Sequence, residues 1–121
     1  MNTEKTILAV DDKIENLDLL NMMLRKHYQI LTAISGEDAL ILAEKENPDL
    51  VLLDIQMPVM DGFEVCKALK DNDKTKDIPI IFITGLSSEQ NREKCLQLGA
   101  VSYLNKPFRL DNLRSTIENH I

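Results

Sequence analysis

The sequence is poor in several residue types, and each shortage excludes a class of protein. Its 121 residues include no tryptophan, only two cysteines, and four residues each of glycine and proline. No apolar run approaches the roughly 18 residues that a membrane-spanning helix needs, and the polar first residues do not resemble a secretory signal. Cys66 and Cys95 form neither a disulfide framework nor a four-ligand zinc site. We therefore expect two buried thiols in a reducing cytoplasm.

Positive charge is also in deficit. The chain has 14 lysines and arginines against 20 acidic residues, for a net charge of −6. This balance argues against nonspecific binding to nucleic acid or to anionic membranes, because both need a surplus of basic side chains. The 44% hydrophobic content can bury one core. With no repeat and no linker-like stretch, we expect a single domain over residues 1–121.

Five short apolar or β-type runs alternate with helix-length segments along the whole chain. The runs cover residues 7–10, 28–33, 50–53, 78–83 and 101–104. Three of them are continuously apolar, as in strands that helices cover on both faces, and the more polar run at 28–33 is expected at a sheet edge. The repeated β–α order predicts an α/β fold with a parallel sheet and right-handed crossovers.

The helical segments carry apolar stripes and recognisable ends. Leu110, Leu113, Ile117 and Ile121 recur at helical spacing, and Ile14 begins a similar stripe in the first helix.

Capping signals support the same helices. Ser35 and Asp61 are suitable N-caps, Ser87 with Gln90 fits a capping box, and Gly99 can end the fourth helix.

Polar side chains stand where the apolar runs end. Asp11 and Asp12 follow the first run, Asp54 follows the third, Thr84 follows the fourth, and Lys106 comes just after the fifth. Because ligands bind outside the carboxyl ends of parallel strands, we expect these side chains to meet in one pocket. Each residue alone is weak evidence, since an aspartate after a strand is usually a turn former.

The charge of this pocket suggests its chemistry. Three carboxylates and Lys106 sum to −2, so a carboxylate must be protonated or a cation must bind. Oxygen-only ligands favour Mg²⁺, which usually leaves room for water and a phosphate. A carboxylate can then act as a nucleophile and form an acyl phosphate, since phosphoryl transfer depends mainly on positioning and charge neutralisation.

A set of motifs completes the pattern: Val10-Asp11-Asp12, Leu53-Asp54-Ile55-Gln56-Met57-Pro58, Met60-Asp61-Gly62, Ile83-Thr84-Gly85, Gly99-Ala100 and Lys106-Pro107-Phe108. In this order and spacing, the chain resembles the receiver domain of two-component response regulators over about residues 5–121. The resemblance implies a flavodoxin-like (βα)₅ fold with strand order 2-1-3-4-5. It also implies a signalling domain rather than an enzyme that turns over external substrates.

The resemblance assigns a role to each site residue. Asp54 would accept a phosphoryl group from a phosphohistidine on a sensor kinase or phosphotransfer protein. Asp11, Asp12, Asp54 and the backbone carbonyl of Gln56 would hold Mg²⁺, with Asp12 a direct ligand and Asp11 acting through water.

Three further features are implied for the response to phosphate. Thr84 would hydrogen-bond the phosphoryl group, Lys106 would pair with it, and the ring of Tyr103 would turn inward as the switch. The peptide bond before Pro107 would be cis. The face of helix four, strand five and helix five would then signal to an effector or a fused output domain, or pair weakly with a second copy.

Three features are particular to this sequence. An apolar Leu86, two residues after Thr84, could hinder the hydrolytic water and lengthen the phosphoryl lifetime, although simple packing explains it equally well. The first helix, with Ile14, Leu17, Met22 and Met23, could serve the kinase-side partner, or could simply have one face in the core and one in solvent. Asn16 could cap or brace that helix.

Three other functions fit the sequence less well. An aspartyl-phosphate hydrolase usually has a carboxylate two residues after its nucleophile, where this chain has Gln56. A flavin-binding protein needs a hydroxyl- and glycine-rich loop after the first strand, where Asp11 and Asp12 would repel phosphate. A degenerate receiver would lack Asp54, Thr84 or Lys106. Whether the domain acts alone or was cut from a larger protein stays open.

Overall fold

The structure, a computed structural model, describes residues 4–85 and 89–121. The strands are β1 (Thr6–Val10), β2 (Gln29–Ala33), β3 (Leu50–Leu53), β4 (Ile80–Thr84) and β5 (Ser102–Asn105). The helices are α1 (Ile14–Leu24), α2 (Gly36–Glu46), α3 (Gly62–Asp71), α4 (Glu89–Gln97) and α5 (Leu110–His120). Within these described ranges, every helix is too short or too polar to cross a membrane.

All five strands are parallel and form one sheet. Their order is β2-β1-β3-β4-β5, which confirms the predicted (βα)₅ architecture and strand order. The edge position of β2 is also as predicted, and its residues are less buried than those of the central strands. The register pairs Val10 with Leu53 and Thr84 with Asn105, so the strand ends lie side by side.

Two apolar layers cover the sheet and explain the continuously apolar strands. Alternate residues of β3 enter opposite layers: Leu50 and Leu52 pack with α1 and α5, whereas Val51 and Leu53 pack with α2, α3 and α4. All four residues are essentially inaccessible to solvent. A strand buried on both faces cannot show the polar alternation of a half-exposed strand.

The helix ends largely follow the predicted signals. The Ser35 hydroxyl accepts a hydrogen bond from the Asp38 backbone N–H at 3.1 Å. Asp61 and Glu64 form a reciprocal capping box at the start of α3. Gly99, which follows α4, has a φ of +103°, a backbone conformation that glycine adopts without steric cost. The predicted pairing of Ser87 lies outside the described residues.

Two details of the elements differ from expectation. β4 begins at Ile80 rather than at residue 78, because the Ile78 N–H is bonded to the Thr75 carbonyl and Pro79 has no N–H. The first residue of two apolar stripes is also exposed: Ile14 is 61% and Leu110 is 39% accessible. Each begins its helix beyond the end of the preceding strand, where the sheet no longer covers the first turn.

The two cysteines are buried, free thiols, as predicted. Burial raises the pKa of Cys66 to about 11 and that of Cys95 to about 12. The Cys66 thiol lies 3.7 Å from the backbone carbonyl of Leu98 and donates to it. Both side chains therefore behave as small core residues.

Candidate functional site

The fold brings three carboxylates together at the carboxyl edge of the sheet. One carboxylate oxygen from each of Asp11, Asp12 and Asp54 lies within 4.8 Å of the other two. Asp11 and Asp54 are buried, with 2% and 9% accessibility, whereas Asp12 is partly exposed. The predicted convergence of these side chains is therefore present.

Backbone hydrogen bonds of the sheet continue past the strand ends to three of the site residues. The Asp54 N–H donates to the Val10 carbonyl at 3.0 Å, and the Lys106 N–H donates to the Thr84 carbonyl at 2.8 Å. The Asp11 N–H similarly reaches β2. Each side chain therefore projects from backbone that the sheet has already fixed, which gives the site a rigid frame.

Asp11 has both carboxylate oxygens engaged by donors. Its Oδ1 accepts from the Lys13 backbone N–H at 3.0 Å. Its Oδ2 accepts from the Asn16 side-chain amide at 2.9 Å and from the Lys106 ammonium at 3.0 Å. A carboxylate this deeply buried needs such partners, because leaving it unpaired would be strongly unfavourable.

Lys106 stands between two of the acids. Its Nζ is 3.8 Å from Asp54 Oδ1, so the ammonium pairs closely with Asp11 and more loosely with Asp54. About a quarter of the lysine side chain remains accessible. The ammonium can thus reach either carboxylate by a small movement of a flexible side chain.

The environment of Asp54 disfavours its negative charge. Burial is the main cause that raises its pKa from 3.8 to about 6, and the charges of Asp11 and Asp12 add to this. Lys106 and the Ile55 backbone N–H act in the opposite direction without cancelling the effect. One ammonium is therefore too little positive charge for this cluster, as the sequence suggested.

The remaining predicted residues lie on neighbouring elements. Thr84 is the last residue of β4 and is buried. Tyr103 in β5 is opposite Phe82 and packs, partly buried, against the apolar layer that contains Phe82. Gln56 is exposed in the loop after β3. The Lys106–Pro107 peptide bond is cis, as the resemblance implied.

The loop between β3 and α3 contains two features that sequence reasoning missed. A Cβ placed on Gly62 would lie 2.1 Å from the Asp54 carbonyl oxygen, so only glycine allows the start of α3 to approach the end of β3 this closely. Gly62 belongs to the Met60-Asp61-Gly62 motif, but nothing in the sequence indicates which backbone it contacts. The Gly62 N–H also donates to the Ile55 carbonyl at 2.8 Å.

Val59 is the second missed feature. Its φ is +69°, which is rare for a β-branched residue, and the Met60 N–H donates to the Pro58 carbonyl at 2.8 Å. This hydrogen bond and the positive φ define a strained, tight turn centred on Val59. The side chain is 93% exposed, so packing does not compensate for the strain.

An open apolar groove of about 500 Å³ adjoins the site. It lies between α1 and the segment after β5, and its lining residues are Asn16, Leu19, Leu20, Met23, Lys106, Pro107 and Phe108. Leu17, Leu20 and Leu24 of α1 are buried, whereas Leu19 and Met22 are at least half exposed. The helix therefore has a core face and an exposed apolar face.

Comparison with known proteins identifies the family. The model of the response regulator receiver domain matches residues 7–118 of this chain. The chain belongs to this family and is a receiver domain of the two-component type.

Relatives and solved structures agree with this assignment. The chain is 44% identical over 103 residues to the response regulator PleD of Caulobacter vibrioides, covering 84% of this chain and 23% of PleD. It is 43% identical over 105 residues to the alkaline phosphatase synthesis transcriptional regulatory protein PhoP of Bacillus subtilis, covering 86% of this chain and 43% of PhoP. The chain thus spans about a quarter to under half of the length of these curated relatives.

Two solved structures resemble the whole fold. The chemotaxis response regulator CheY4 of Vibrio cholerae superposes with a TM-score of 0.92 at 32% identity, covering 98% of this chain and all of that one. The receiver domain of the sensor histidine kinase PA1611 from Pseudomonas aeruginosa superposes with a TM-score of 0.89 at 30% identity, and each chain is covered to 98%. That receiver was crystallised with a magnesium ion coordinated in its active-site cleft.

Proposed function

We propose that this domain accepts a phosphoryl group on Asp54 from a phosphohistidine of a sensor kinase or phosphotransfer protein, in a reaction that depends on Mg²⁺. The observation that carries the proposal is the meeting of three carboxylates within 4.8 Å, with a lysine ammonium shared between two of them. The unit that does this is the single receiver domain over residues 1–121.

The residues at the site suit a magnesium ion. Hard cations prefer oxygen ligands, and the cluster offers carboxylates whose mutual repulsion a cation would relieve. Asp12, Asp54 and the backbone carbonyl of Gln56 would hold the ion directly. Asp11 would act through water, because both of its oxygens already accept hydrogen bonds from protein donors. When bound, Mg²⁺ supplies neutralisation of the charge that gathers on the transferred group.

The transfer itself uses residues of this chain. A carboxylate oxygen of Asp54 attacks phosphorus and forms the acyl–phosphate bond, while the P–N bond to the donor imidazole breaks and its electron pair returns to nitrogen. The Lys106 ammonium, 3.8 Å from Asp54, stabilises the phosphoryl oxygens. The hydroxyl of Thr84 donates to the same group once it is attached.

Phosphorylation then shifts a conformational equilibrium. The new group adds a charge of roughly −1.5 to −2 at this edge of the sheet and attracts Thr84 and Lys106. Both residues lie beside β5, so their movement reaches Tyr103 and the face formed by α4, β5 and α5. This face would signal to an effector protein or a fused output domain, or to a second copy of the chain. The equilibrium between the two states shifts only by the difference between the free energies with which the phosphoryl group interacts with each state.

We place this function in the cytoplasm, because both thiols are free and a reducing compartment keeps them so. The acidic chain has no excess of basic charge for direct binding to nucleic acid or to an anionic membrane. We expect no turnover of external substrates, because Gln56 stands where an aspartyl-phosphate hydrolase usually has its acid.

The test uses acetyl phosphate as a small donor, with Mg²⁺ or with EDTA. We expect one phosphoryl group per chain, mapped to Asp54 by peptide mass spectrometry, and no label in EDTA. Asp54→Ala should abolish the label while the circular dichroism spectrum is retained. Continuous release of phosphate at a high rate would instead indicate a hydrolase, and label at another residue would contradict the assignment.

A second experiment tests the path from phosphate to the output face. Lys106→Ala should still accept some phosphate but should transmit it poorly to Tyr103 and the α4–β5–α5 face. NMR shifts of that face with beryllofluoride, a phosphoryl mimic, provide the measurement. Normal shifts in the Lys106 variant would contradict its role.

The predicted effect of Leu86 on phosphoryl lifetime concerns a position outside the described residues. Comparing the decay rates of phosphorylated wild type and phosphorylated Leu86→Glu tests it, and equal rates would contradict the prediction.

A further inference from the structure

The side chain of Asn16 makes a contact that the proposed transfer does not use. Its amide donates to Asp11 Oδ2 at 2.9 Å, the same oxygen that accepts from the Lys106 ammonium at 3.0 Å. Asn16 belongs to the first turn of α1 and is partly exposed, and it also lines the groove beside the site. Two donors, one neutral and one charged, therefore share one buried oxygen.

Sharing matters because Lys106 has two alternative partners. In this structure the ammonium nitrogen lies 3.0 Å from Asp11 Oδ2 and 3.8 Å from Asp54 Oδ1, so it is closer to Asp11. A phosphoryl group on Asp54 would attract the ammonium away from Asp11, which is only 2% accessible and cannot turn to solvent for a replacement. A buried carboxylate that loses its ammonium pays a large penalty unless another donor remains.

We propose that Asn16 is a positioning residue that holds the Asp11 carboxylate in place while Lys106 moves from Asp11 to the phosphorylated Asp54. With the Lys13 backbone N–H on Oδ1 and Asn16 on Oδ2, each oxygen keeps one donor after Lys106 leaves. Asn16 thus lowers the cost of releasing the lysine. This inference rests on the proposed function, because it assigns Lys106 to the phosphoryl group.

A double-mutant cycle on stability tests the contact without any phosphate. Lys106→Met imitates the state in which the ammonium has left Asp11, and Asn16→Leu removes the amide at similar volume. We expect Asn16→Leu to raise the unfolding equilibrium constant about tenfold more in the Lys106→Met background than in wild type, because Asp11 then keeps only its backbone donor. The measurement is urea unfolding at pH 7.5 in EDTA. Additive effects of the two substitutions would overturn the proposal.

Labelling by acetyl phosphate at saturating Mg²⁺ tests the consequence for function. Asn16→Leu should slow the labelling of Asp54 by about tenfold when Lys106 is present and should have little effect in the Lys106→Met background, where no lysine must be released. Equal slowing in both backgrounds would show that Asn16 acts independently of Lys106 and would refute the inference. Asn16→Gln, which keeps an amide donor, should recover most of the rate.

Controls separate this proposal from the function on which it rests. Asn21→Leu makes the same replacement at another asparagine of α1 and should leave the labelling rate unchanged. If wild type itself takes no label on Asp54, the proposed function fails, whereas the stability cycle still reports on the contact with Asp11. Should Asn16→Leu not fold, Asn16→Ala enters the same two cycles with the same expected outcomes.

Discussion

Replacement of the buried Asp54 by asparagine should make the metal-free domain more stable at neutral pH. Asparagine has nearly the shape of a protonated aspartate but cannot acquire the negative charge that this environment disfavours. The pKa of Asp54 is raised from an ordinary 3.8 to about 6 in the folded protein, and this difference reflects the free-energy cost of ionising the buried carboxyl. A difference of about two units corresponds to roughly 3 kcal/mol at 1.36 kcal/mol per unit.

The sign of the pH dependence follows from the direction of the shift. Because the folded state holds the Asp54 proton more tightly than the unfolded state, this carboxyl does not destabilise the fold below about pH 3.8. Its cost appears as the pH rises through the interval from 3.8 to about 6 and is complete above it. The gap between Asp54→Asn and wild type should therefore approach about 3 kcal/mol at pH 7.5 and close near pH 4.

Urea unfolding followed by far-ultraviolet circular dichroism in EDTA measures this gap at both pH values. Asp73→Asn is the matched control, because the Asp73 side chain is 94% exposed and its ion pair with Lys76 lies at the surface. Its effect should stay within about 0.5 kcal/mol at either pH. An Asp54→Asn protein that is no more stable than wild type at pH 7.5, or a gap that persists at pH 4, would refute the reasoning.

Three further outcomes follow from the same structure. Millimolar Mg²⁺ should raise the midpoint of wild-type unfolding, but should raise that of Asp54→Asn much less, since a ligand stabilises only the state that binds it; equal shifts would contradict a site that includes Asp54. Gly62→Ala should lose about 3 kcal/mol of unfolding free energy, because its Cβ meets the Asp54 carbonyl oxygen, whereas Gly85→Ala, with no atom within 4 Å, should be nearly neutral. Val59→Gly should raise the unfolding free energy by about 1 kcal/mol, because glycine adopts a positive φ without strain. Val101→Gly, at a position without a positive φ, should lower it. Calorimetric melting compares each glycine variant pair and each valine variant pair, and a destabilised Val59→Gly would show that the turn is not strained.

The receiver fold and most of the candidate site were predictable because they depend on local patterns. Continuously apolar strands, amphipathic helices and their alternation determine a parallel sheet, and a parallel sheet aligns the carboxyl ends of its strands. Asp11, Asp12 and Asp54 stand at those ends in the sequence, so their meeting followed from the parallel topology. The capping of α3 by Asp61 was likewise a local signal.

Other features depend on contacts between residues that are distant in the chain or on the orientation of one side chain. No local pattern showed that α3 begins against the carbonyl of Asp54 at Gly62, or that Val59 occupies a strained turn. The apolar stripe of α1 suggested that Ile14 is buried, but the helix begins beyond the sheet and leaves it 61% exposed.

The sequence by itself therefore determined the order of the elements, the layers of the core and which acidic residues meet, because each of these follows from periodicity and from the polarity of strand ends. Only the tertiary structure decided how the charges at the site are shared. Asp11 accepts hydrogen bonds from Lys106, which is distant in the sequence, and from Asn16 in the first turn of α1. The Lys106 ammonium lies farther from Asp54 than from Asp11. Such distances depend on packing to within an ångström, which spacing along a chain does not specify.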